Sequence, residues 1–171
     1  MSVAVLLASS RSHGNTRRLL DLAFPEGTLD IEDIGMLKIG FYSYEGANDN
    51  DDFLPLIDRL IQHDTWLIAT PLYWYTMSAQ AKAFIDRLSA LLDVHKEVGR
   101  RLRGKKLAVL CTGTDPVPPP SFDEPFSLTC DYLGITFLGT HYAQFRELHS
   151  ARPEVGRAAE SFIRTVVRGD A

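Results

Sequence analysis

The 171-residue chain lacks several features that would assign it to a class at once. It has no hydrophobic run of roughly 18 residues, the minimum for a membrane-spanning helix. Its first residues carry no basic leader before a strand pattern, so no secretion signal is expected. The two cysteines, Cys111 and Cys130, are too few for a four-thiolate zinc site and lack iron–sulfur spacing. We therefore predict reduced thiols in a cytoplasmic protein.

Strong net charge and metal-site spacing are also missing. The 18 basic and 22 acidic side chains leave a net charge of −4, which gives no general attraction to nucleic acid or to an anionic membrane. The histidines show no spacing typical of a metal site. Composition and length are those of about one globular domain, since domains average roughly 150 residues. We expect residues 1–171 to form a single domain.

Short apolar segments alternate with amphipathic segments along the chain. This alternation is typical of an α/β protein with a parallel sheet and helices on both faces. The predicted strands cover residues 3–8, 28–34, 65–70, 107–111 and 135–141. The predicted helices begin near Asn15, after Asp51 or Asp52, after a capping Ser78, near Ser121 and near Pro153. The polar segment 40–52 is predicted to be a surface loop.

The loop after the first strand has the chemistry of a phosphate site. Its hydroxyl, guanidinium, imidazole and amide groups come from Ser9, Ser10, Arg11, Ser12, His13, Asn15 and Thr16 around Gly14. Backbone N–H groups at a helix start, together with Arg11, would bind a phosphate dianion. The alternative is a serine-rich turn with a helix cap. Neither Gly-x-Gly-x-x-Gly nor Gly-Lys-Ser/Thr is present, which excludes dinucleotide and triphosphate cradles of those types.

The loop after the third strand contains three consecutive aromatic residues, Tyr73, Trp74 and Tyr75. All three cannot point into one core, so at least one is expected to face a pocket, a partner or solvent. Flat side chains would hold a planar heteroaromatic ligand. The alternative is a hydrophobic plug over the sheet edge or a dimer contact. A third loop, containing Thr112 and Gly113, would close the same pocket from the other side.

Two motifs resemble those of the flavodoxin-like NAD(P)H-dependent FMN reductases and quinone reductases. Residues 9–16 resemble that family's Gly-Ser-x-Arg-x-x-Gly-Asn-Thr loop, with Ala8 in place of the leading glycine. Residues 70–88 resemble its Thr-Pro-x-Tyr-Trp segment followed by Lys-x-Phe-x-Asp-Arg on a helix. The order of all five predicted strands is shared as well.

The resemblance implies a flavodoxin-like fold with non-covalently bound FMN at the carboxyl edge of the sheet, commonly in a homodimer, and NADPH or NADH as electron donor. It implies three groups of cofactor-binding residues: Ser9, Arg11, Ser12, His13, Gly14, Asn15 and Thr16 at the phosphate; Pro71, Leu72, Tyr73, Trp74, Tyr75 and Thr76 beside the isoalloxazine ring; Thr112 and Gly113 at its pyrimidine end. Tyr75 departs from the family's small residue, which would narrow the space above the ring or redirect the backbone.

The leading hypothesis is an FMN-dependent NAD(P)H oxidoreductase that reduces a quinone, an azo or nitroaromatic compound, or free flavin. No catalytic side chain is predicted, because the flavin carries the chemistry. Lys82 and Asp86 are expected to form only an exposed ion pair. One alternative is a flavodoxin-type electron carrier, which the mild net charge and the basic stretch 95–106 disfavour. The other is a flavin-free regulatory or interaction protein whose aromatic loop contacts a partner.

Overall fold

Five parallel strands form the central sheet of the computed structural model, which describes residues 2–24, 30–45, 48, 50–146 and 153–168. The strands are β1 (Val3–Leu7), β2 (Ile31–Asp33), β3 (Thr65–Pro71), β4 (Lys106–Gly113) and β5 (Thr136–Gln144). They pair in the order β2-β1-β3-β4-β5. The direction of winding reverses between β1 and β3, so a crevice for a ligand lies beyond their carboxyl ends.

Helices cover both faces of the sheet, as predicted. They are α1 (Asn15–Ala23), α2 (Phe53–Leu60), α3 (Ala79–Arg87), α4 (Ala90–Asp93), α5 (Lys96–Arg100), α6 (Glu124–Leu133) and α7 (Pro153–Arg168). Successive side chains of a strand point to opposite faces. Val5 and Leu7 therefore pack with α1 and α7, whereas Leu6 and Ala8 pack with α2, α3 and α6. Among the described residues, no helix is long and apolar enough to cross a membrane.

The strands on one side of the switch point run further than the apolar pattern predicted. β3 includes Pro71, because Pro71 still pairs with Thr112 and the N–H of Leu72 donates to the Thr112 carbonyl at 2.7 Å. β4 likewise extends through Thr112 and Gly113, which were predicted to lie in a loop. β5 ends at Gln144 rather than at residue 141. Small or polar residues continue these strands, so their ends carry no hydrophobic signal.

β2 is shorter than predicted, because a turn follows Asp33. The Asp33 carboxylate accepts from the N–H of Gly35 at 3.0 Å, and its carbonyl accepts from the N–H of Met36 at 3.0 Å. These two bonds end the extended conformation before residue 34. Residues 28 and 29 of the predicted strand lie outside the described residues.

The helix predictions are confirmed at their starts and incomplete in number. The Ser78 hydroxyl caps α3 by accepting from the N–H of Ala81 at 3.1 Å. α2 follows Asp52, although it is the carboxylate of Asp51 that accepts from the first N–H of the helix. The helix predicted near Ser121 starts as a 3-10 turn before α6. α4 and α5 were not predicted, because helices of four and five residues are too short to establish a periodic pattern.

Lys82 and Asp86 form the expected exposed ion pair, with 2.6 Å between Nζ and Oδ1. The basic stretch 95–106 includes α5, and its arginines Arg101 and Arg103 are exposed to solvent.

A buried ion pair between Arg87 and Asp51 ties the polar segment 40–52 to α3. The Arg87 side chain is only 5% exposed, and its Nη2 lies 3.2 Å from Oδ1 of Asp51. The same guanidinium donates to the Gly40 carbonyl at 3.2 Å and stands 4.6 Å from the ring centroid of Phe53. The described residues of segment 40–52 form no helix or strand and none of them is buried, as predicted for a surface loop, and the ion pair fixes this loop to α3.

Two opposing effects act on the pKa of Asp51. Burial raises this pKa, while hydrogen bonds from Arg87 and from the backbone N–H groups of Phe53 and Gly40 lower it. The hydrogen bonds outweigh burial, so the pKa of Asp51 lies below its ordinary value.

We expect Asp51→Asn to lower the free energy of unfolding by about 3 kcal/mol at neutral pH, because it leaves Arg87 buried without its counter-charge. The folded-state pKa of Asp51 is below the unfolded-state value, so the stabilisation is complete above about pH 4 and is lost as the pH falls through the folded-state pKa. Urea unfolding at several pH values measures both effects.

The matched control is Asp86→Asn, which breaks an exposed pair and should cost at most about 0.5 kcal/mol. A difference between wild type and Asp51→Asn that stays constant down to about pH 2 would contradict the assignment, because the ordinary Asp pKa is near 4.

Candidate functional site

A cavity of about 420 Å³ opens at the carboxyl edge of the sheet, between the loops that follow β1 and β3. It is lined by Ser9, Arg11, His13, Gly14, Asn15, Thr16, Arg18, Pro71, Tyr73 and Phe145. All of these except Arg18 and Phe145 were predicted site residues. The structure therefore brings the phosphate-type loop and the start of the aromatic loop together around one space.

The amino terminus of α1 at this cavity is uncapped. Gly14 stands at the N-cap position and offers no side chain, and the first turn holds no acidic residue. Within the described residues, no side chain accepts a cap hydrogen bond there. The first N–H groups of a helix need an acceptor and carry the positive end of its dipole, so this terminus is suited to an anion.

Two arginines, Arg11 and Arg18, lie at the cavity. In the described part of the chain, neither Arg11 nor Arg18 forms an ion pair. Their neighbour Arg17 is neutralised by Asp21, with 2.8 Å between Nε and Oδ1. The unpaired cations and the helix dipole act in the same direction, and both favour a phosphate dianion in the cavity.

A buried pair of hydroxyl groups lies behind the cavity wall. Oγ1 of Thr16 and Oγ1 of Thr112 are 2.8 Å apart, and their residues are 2% and 0% exposed. Thr16 lines the cavity, whereas Thr112 and Gly113 are buried in β4 and do not. Thr112 thus contacts a residue that lines the cavity but does not line the cavity itself.

The aromatic loop is a tight two-residue turn. Tyr73 and Thr76 exchange backbone hydrogen bonds of 2.9 and 3.1 Å across it. The two residues at its tip, Trp74 and Tyr75, have φ angles of 48° and 68°, which lie in the left-handed region that favours glycine. Such a conformation costs a non-glycine residue roughly 1–2 kcal/mol. The backbone at the tip therefore has a conformation that aromatic residues rarely adopt.

The tip of this turn is not a plug over the sheet edge. Trp74 is 90% exposed and Tyr75 is 66% exposed, whereas Tyr73 turns back toward the phosphate-type loop. The hydroxyl of Tyr73 lies 3.2 Å from Oγ of Ser10. Of the remaining predicted residues, Leu72 and Ser12 are half-buried and Thr76 is exposed, and none of the three lines the cavity.

Ser78 fixes the base of the aromatic loop to the end of β1. Its hydroxyl donates to the carbonyl of Ala8 at 2.7 Å while accepting the cap bond of α3. Its N–H donates to Oγ1 of Thr70 at 3.1 Å. Ser78 thus fixes the position of the loop after β3 relative to the end of β1, where the other cavity loop begins.

Sequence reasoning missed three residues at the site. Arg18 comes three positions after Asn15, and this helical spacing was a signal that could have found it. Phe145 directly follows β5. It was missed because this strand was predicted to end at residue 141 and in fact continues to Gln144. Gly35 lies against the first loop, where an added Cβ would stand 2.8 Å from the Ser9 carbonyl oxygen. No local pattern indicates that contact.

The strand order and the crevice at its switch point define a flavodoxin-like α/β protein. Residues 1–118 match the family described as NADPH-dependent FMN reductase. The chain therefore belongs to this family, and it is an NAD(P)H-dependent FMN oxidoreductase with FMN as its cofactor. The uncapped helix and the unpaired arginines fit the phosphate of that cofactor.

Known proteins with similar sequence or structure agree with this assignment. YwqN of Bacillus subtilis (strain 168), whose name describes an NAD(P)H-dependent FMN-containing oxidoreductase, is 28% identical over 151 residues, covering 81% of this chain and 82% of YwqN. An NADPH-quinone reductase from P. pentosaceus has a TM-score of 0.71 at 16% identity, over 97% of this chain and 98% of that one. General stress protein 14 from Treponema denticola, in complex with FMN, has a TM-score of 0.68 at 16% identity, over 98% and 99% of the two chains. At these identities the two structures establish the fold.

We expect Tyr75→Gly to be more stable than Tyr75→Ala by about 1 kcal/mol, because both remove the side chain but only glycine relieves the left-handed strain. Urea unfolding of the two variants, prepared side by side, measures the difference. Equal stabilities would mean that the backbone at residue 75 is not held in the left-handed region.

Proposed function

We propose that the protein passes electrons from NADPH or NADH, through its FMN, to a small planar acceptor: a quinone, an azo or nitroaromatic compound, or a free flavin. The observation that carries this proposal is the exposed aromatic tip, Trp74 and Tyr75, beside the cavity. Flat apolar side chains favour flat ligands through stacking. Proteins of similar structure include an NADPH-quinone reductase and an azoreductase, which supports this range of acceptors.

We infer that the phosphate of FMN binds at the amino terminus of α1. Arg11 and Arg18 would supply charge, and the first-turn N–H groups and the Thr16 hydroxyl would supply donors. Ser9, Ser12, His13, Gly14 and Asn15 complete this phosphate loop in the proposal. Its support is the chemistry of the cavity wall, where cations and helix donors have no competing acceptor in the described residues.

We further infer that the isoalloxazine ring lies beside residues 71–76. The N–H groups of Leu72, Tyr73 and Thr76 are already used in backbone hydrogen bonds. Those of Trp74 and Tyr75 have no backbone partner in the described structure, so both are available to a ligand. The main chain of Thr112 and Gly113 stays in the proposal at the pyrimidine end, where β4 packs against this loop, whereas the hydroxyl of Thr112 faces Thr16.

These positions indicate which tasks belong to the cofactor and which to the protein chain. Bound FMN supplies the electron transfer itself, and no side chain has to act as nucleophile or general base. The chain binds the phosphate, orients the ring, and directs backbone donors toward negative charge on the reduced cofactor. The open cavity edge leaves room for the nicotinamide and the acceptor to bind in turn.

We also propose a homodimer, a single FMN-binding domain over residues 1–171 and a cytoplasmic location. Exposed apolar side chains on α6, Leu128 and Tyr132, support self-association. One sheet with helices on both faces supports the single domain. Both cysteines are buried free thiols, and burial raises the pKa of the Cys130 thiol to about 12 and that of Cys111 further, so neither is a reactive thiolate.

Arg11→Ala should weaken FMN binding about tenfold or more, because a hydrogen bond to a charged group contributes about 1.5–3 kcal/mol. Quenching of FMN fluorescence on titration of the cofactor-free protein measures the affinity. The control is Arg101→Ala, an exposed arginine before β4 at the opposite, amino edge of the sheet, which should leave the affinity unchanged.

Under the alternative hypothesis, that the chain is a flavin-free interaction protein, different results are expected. Wild-type protein would then show no flavin absorbance, no FMN binding and no oxidation of NADPH or NADH. That combination would overturn the proposed function.

Trp74→Ala should raise KM for a planar quinone about two- to tenfold, since an aromatic pair contributes about 0.5–1.5 kcal/mol beyond its buried area. Oxidation of NADPH with ferricyanide, an acceptor without an aromatic plane, should be unchanged. Steady-state kinetics with both acceptors separates the two expectations. An equal loss with ferricyanide would show that Trp74 supports the cofactor rather than the acceptor.

A further inference from the structure

We propose that Thr112 is a positioning residue for the phosphate of FMN and that it acts through the hydroxyl of Thr16. The inference rests on the proposed phosphate site at the start of α1. It assigns Thr112 a role distinct from contact with the ring.

The two threonines come from different elements and meet in the interior. Thr16 is the second residue of α1 and lines the cavity, while Thr112 lies near the end of β4 and is fully buried. Their Oγ1 atoms are 2.8 Å apart, and the Thr112 hydroxyl has no other hydrogen-bond partner in the part of the chain that is described. Thr16 lines the cavity and Thr112 does not, so the Thr16 hydroxyl is the member of the pair that the proposal places in contact with the phosphate.

Which of the two hydroxyls donates the hydrogen bond between them depends on whether a phosphate is bound. A hydroxyl donates one hydrogen bond and accepts up to two, so either threonine can donate when the pair is alone. A phosphate dianion only accepts, so the Thr16 proton must turn toward it. The single proton of Thr112 then completes the bond between the two hydroxyls. Thr112 thereby donates to Thr16, and Thr16 donates to the phosphate, in a chain whose bonds polarise one another.

The backbone of Thr112 is well suited to hold such a donor. β4 is an inner strand, and Thr112 pairs with Pro71 of β3 on one side and with Ala143 of β5 on the other. Thr112 is β-branched, which restricts its χ1 rotamers. The hydroxyl therefore occupies a set position behind the first turn of α1.

The test compares FMN with riboflavin, which has the same ring and lacks the phosphate. Thr112→Val keeps the shape of the side chain and removes its donor, so FMN affinity should fall about three- to tenfold while riboflavin affinity changes less than twofold. Thr112→Ser restores the hydroxyl and should recover the preference for FMN. If Thr112 had only a structural role, Thr112→Val would weaken the binding of FMN and of riboflavin equally.

Fluorescence titration gives both affinities, and urea unfolding without ligand checks that each variant folds. If the valine variant does not fold, Thr112→Ala carries the same expectation. A variant that lacks the hydroxyl but keeps the wild-type preference for FMN would overturn the inference and leave the proposed function standing. Wild-type protein that binds riboflavin as tightly as FMN would instead overturn the proposed phosphate site.

Discussion

The uncapped amino terminus of α1 is the constraint on which the functional site depends. A helix whose first N–H groups find no side-chain acceptor is incomplete without an external anion or water. Gly14 leaves these donors unmet, and Arg11 and Arg18 add charge of the sign that an anion needs. The strand order then places this terminus beside the loop of β3, so a phosphate bound there brings the rest of its molecule against the aromatic turn.

The remaining contacts hold that turn in a shape that it would not adopt alone. Trp74 and Tyr75 are kept in the left-handed region by the hydrogen bonds between Tyr73 and Thr76 below them. Ser78 anchors the base of the loop to β1, and the buried ion pair of Arg87 secures the far end of α3. Strain of this kind persists only where surrounding structure enforces it, and it concentrates at functional sites. Here it leaves two aromatic side chains exposed next to Tyr73, which lines the cavity.

Much of this could be predicted from the sequence, for a physical reason. Parallel strands buried on both faces read as continuous apolar runs, so β1, β3 and the order of the elements were evident, and Ser78 carried a recognisable cap signal. Features that depend on tertiary contact were not evident. The partner of Arg87 lies 36 residues away, the burial of Thr112 leaves no apolar signal, and the left-handed turn contradicts the preference of its own aromatic residues.

In the proposed binding mode, the phosphate of the cofactor binds at the amino terminus of α1 and the ring lies beside residues 71–76. A crystal structure of the protein with FMN tests it most directly. We expect phosphate oxygens within hydrogen-bond distance of the Thr16 hydroxyl and the first-turn N–H groups, with Arg11 in contact. A phosphate bound away from α1, or a ring on the far side of the sheet from Tyr73, would contradict it.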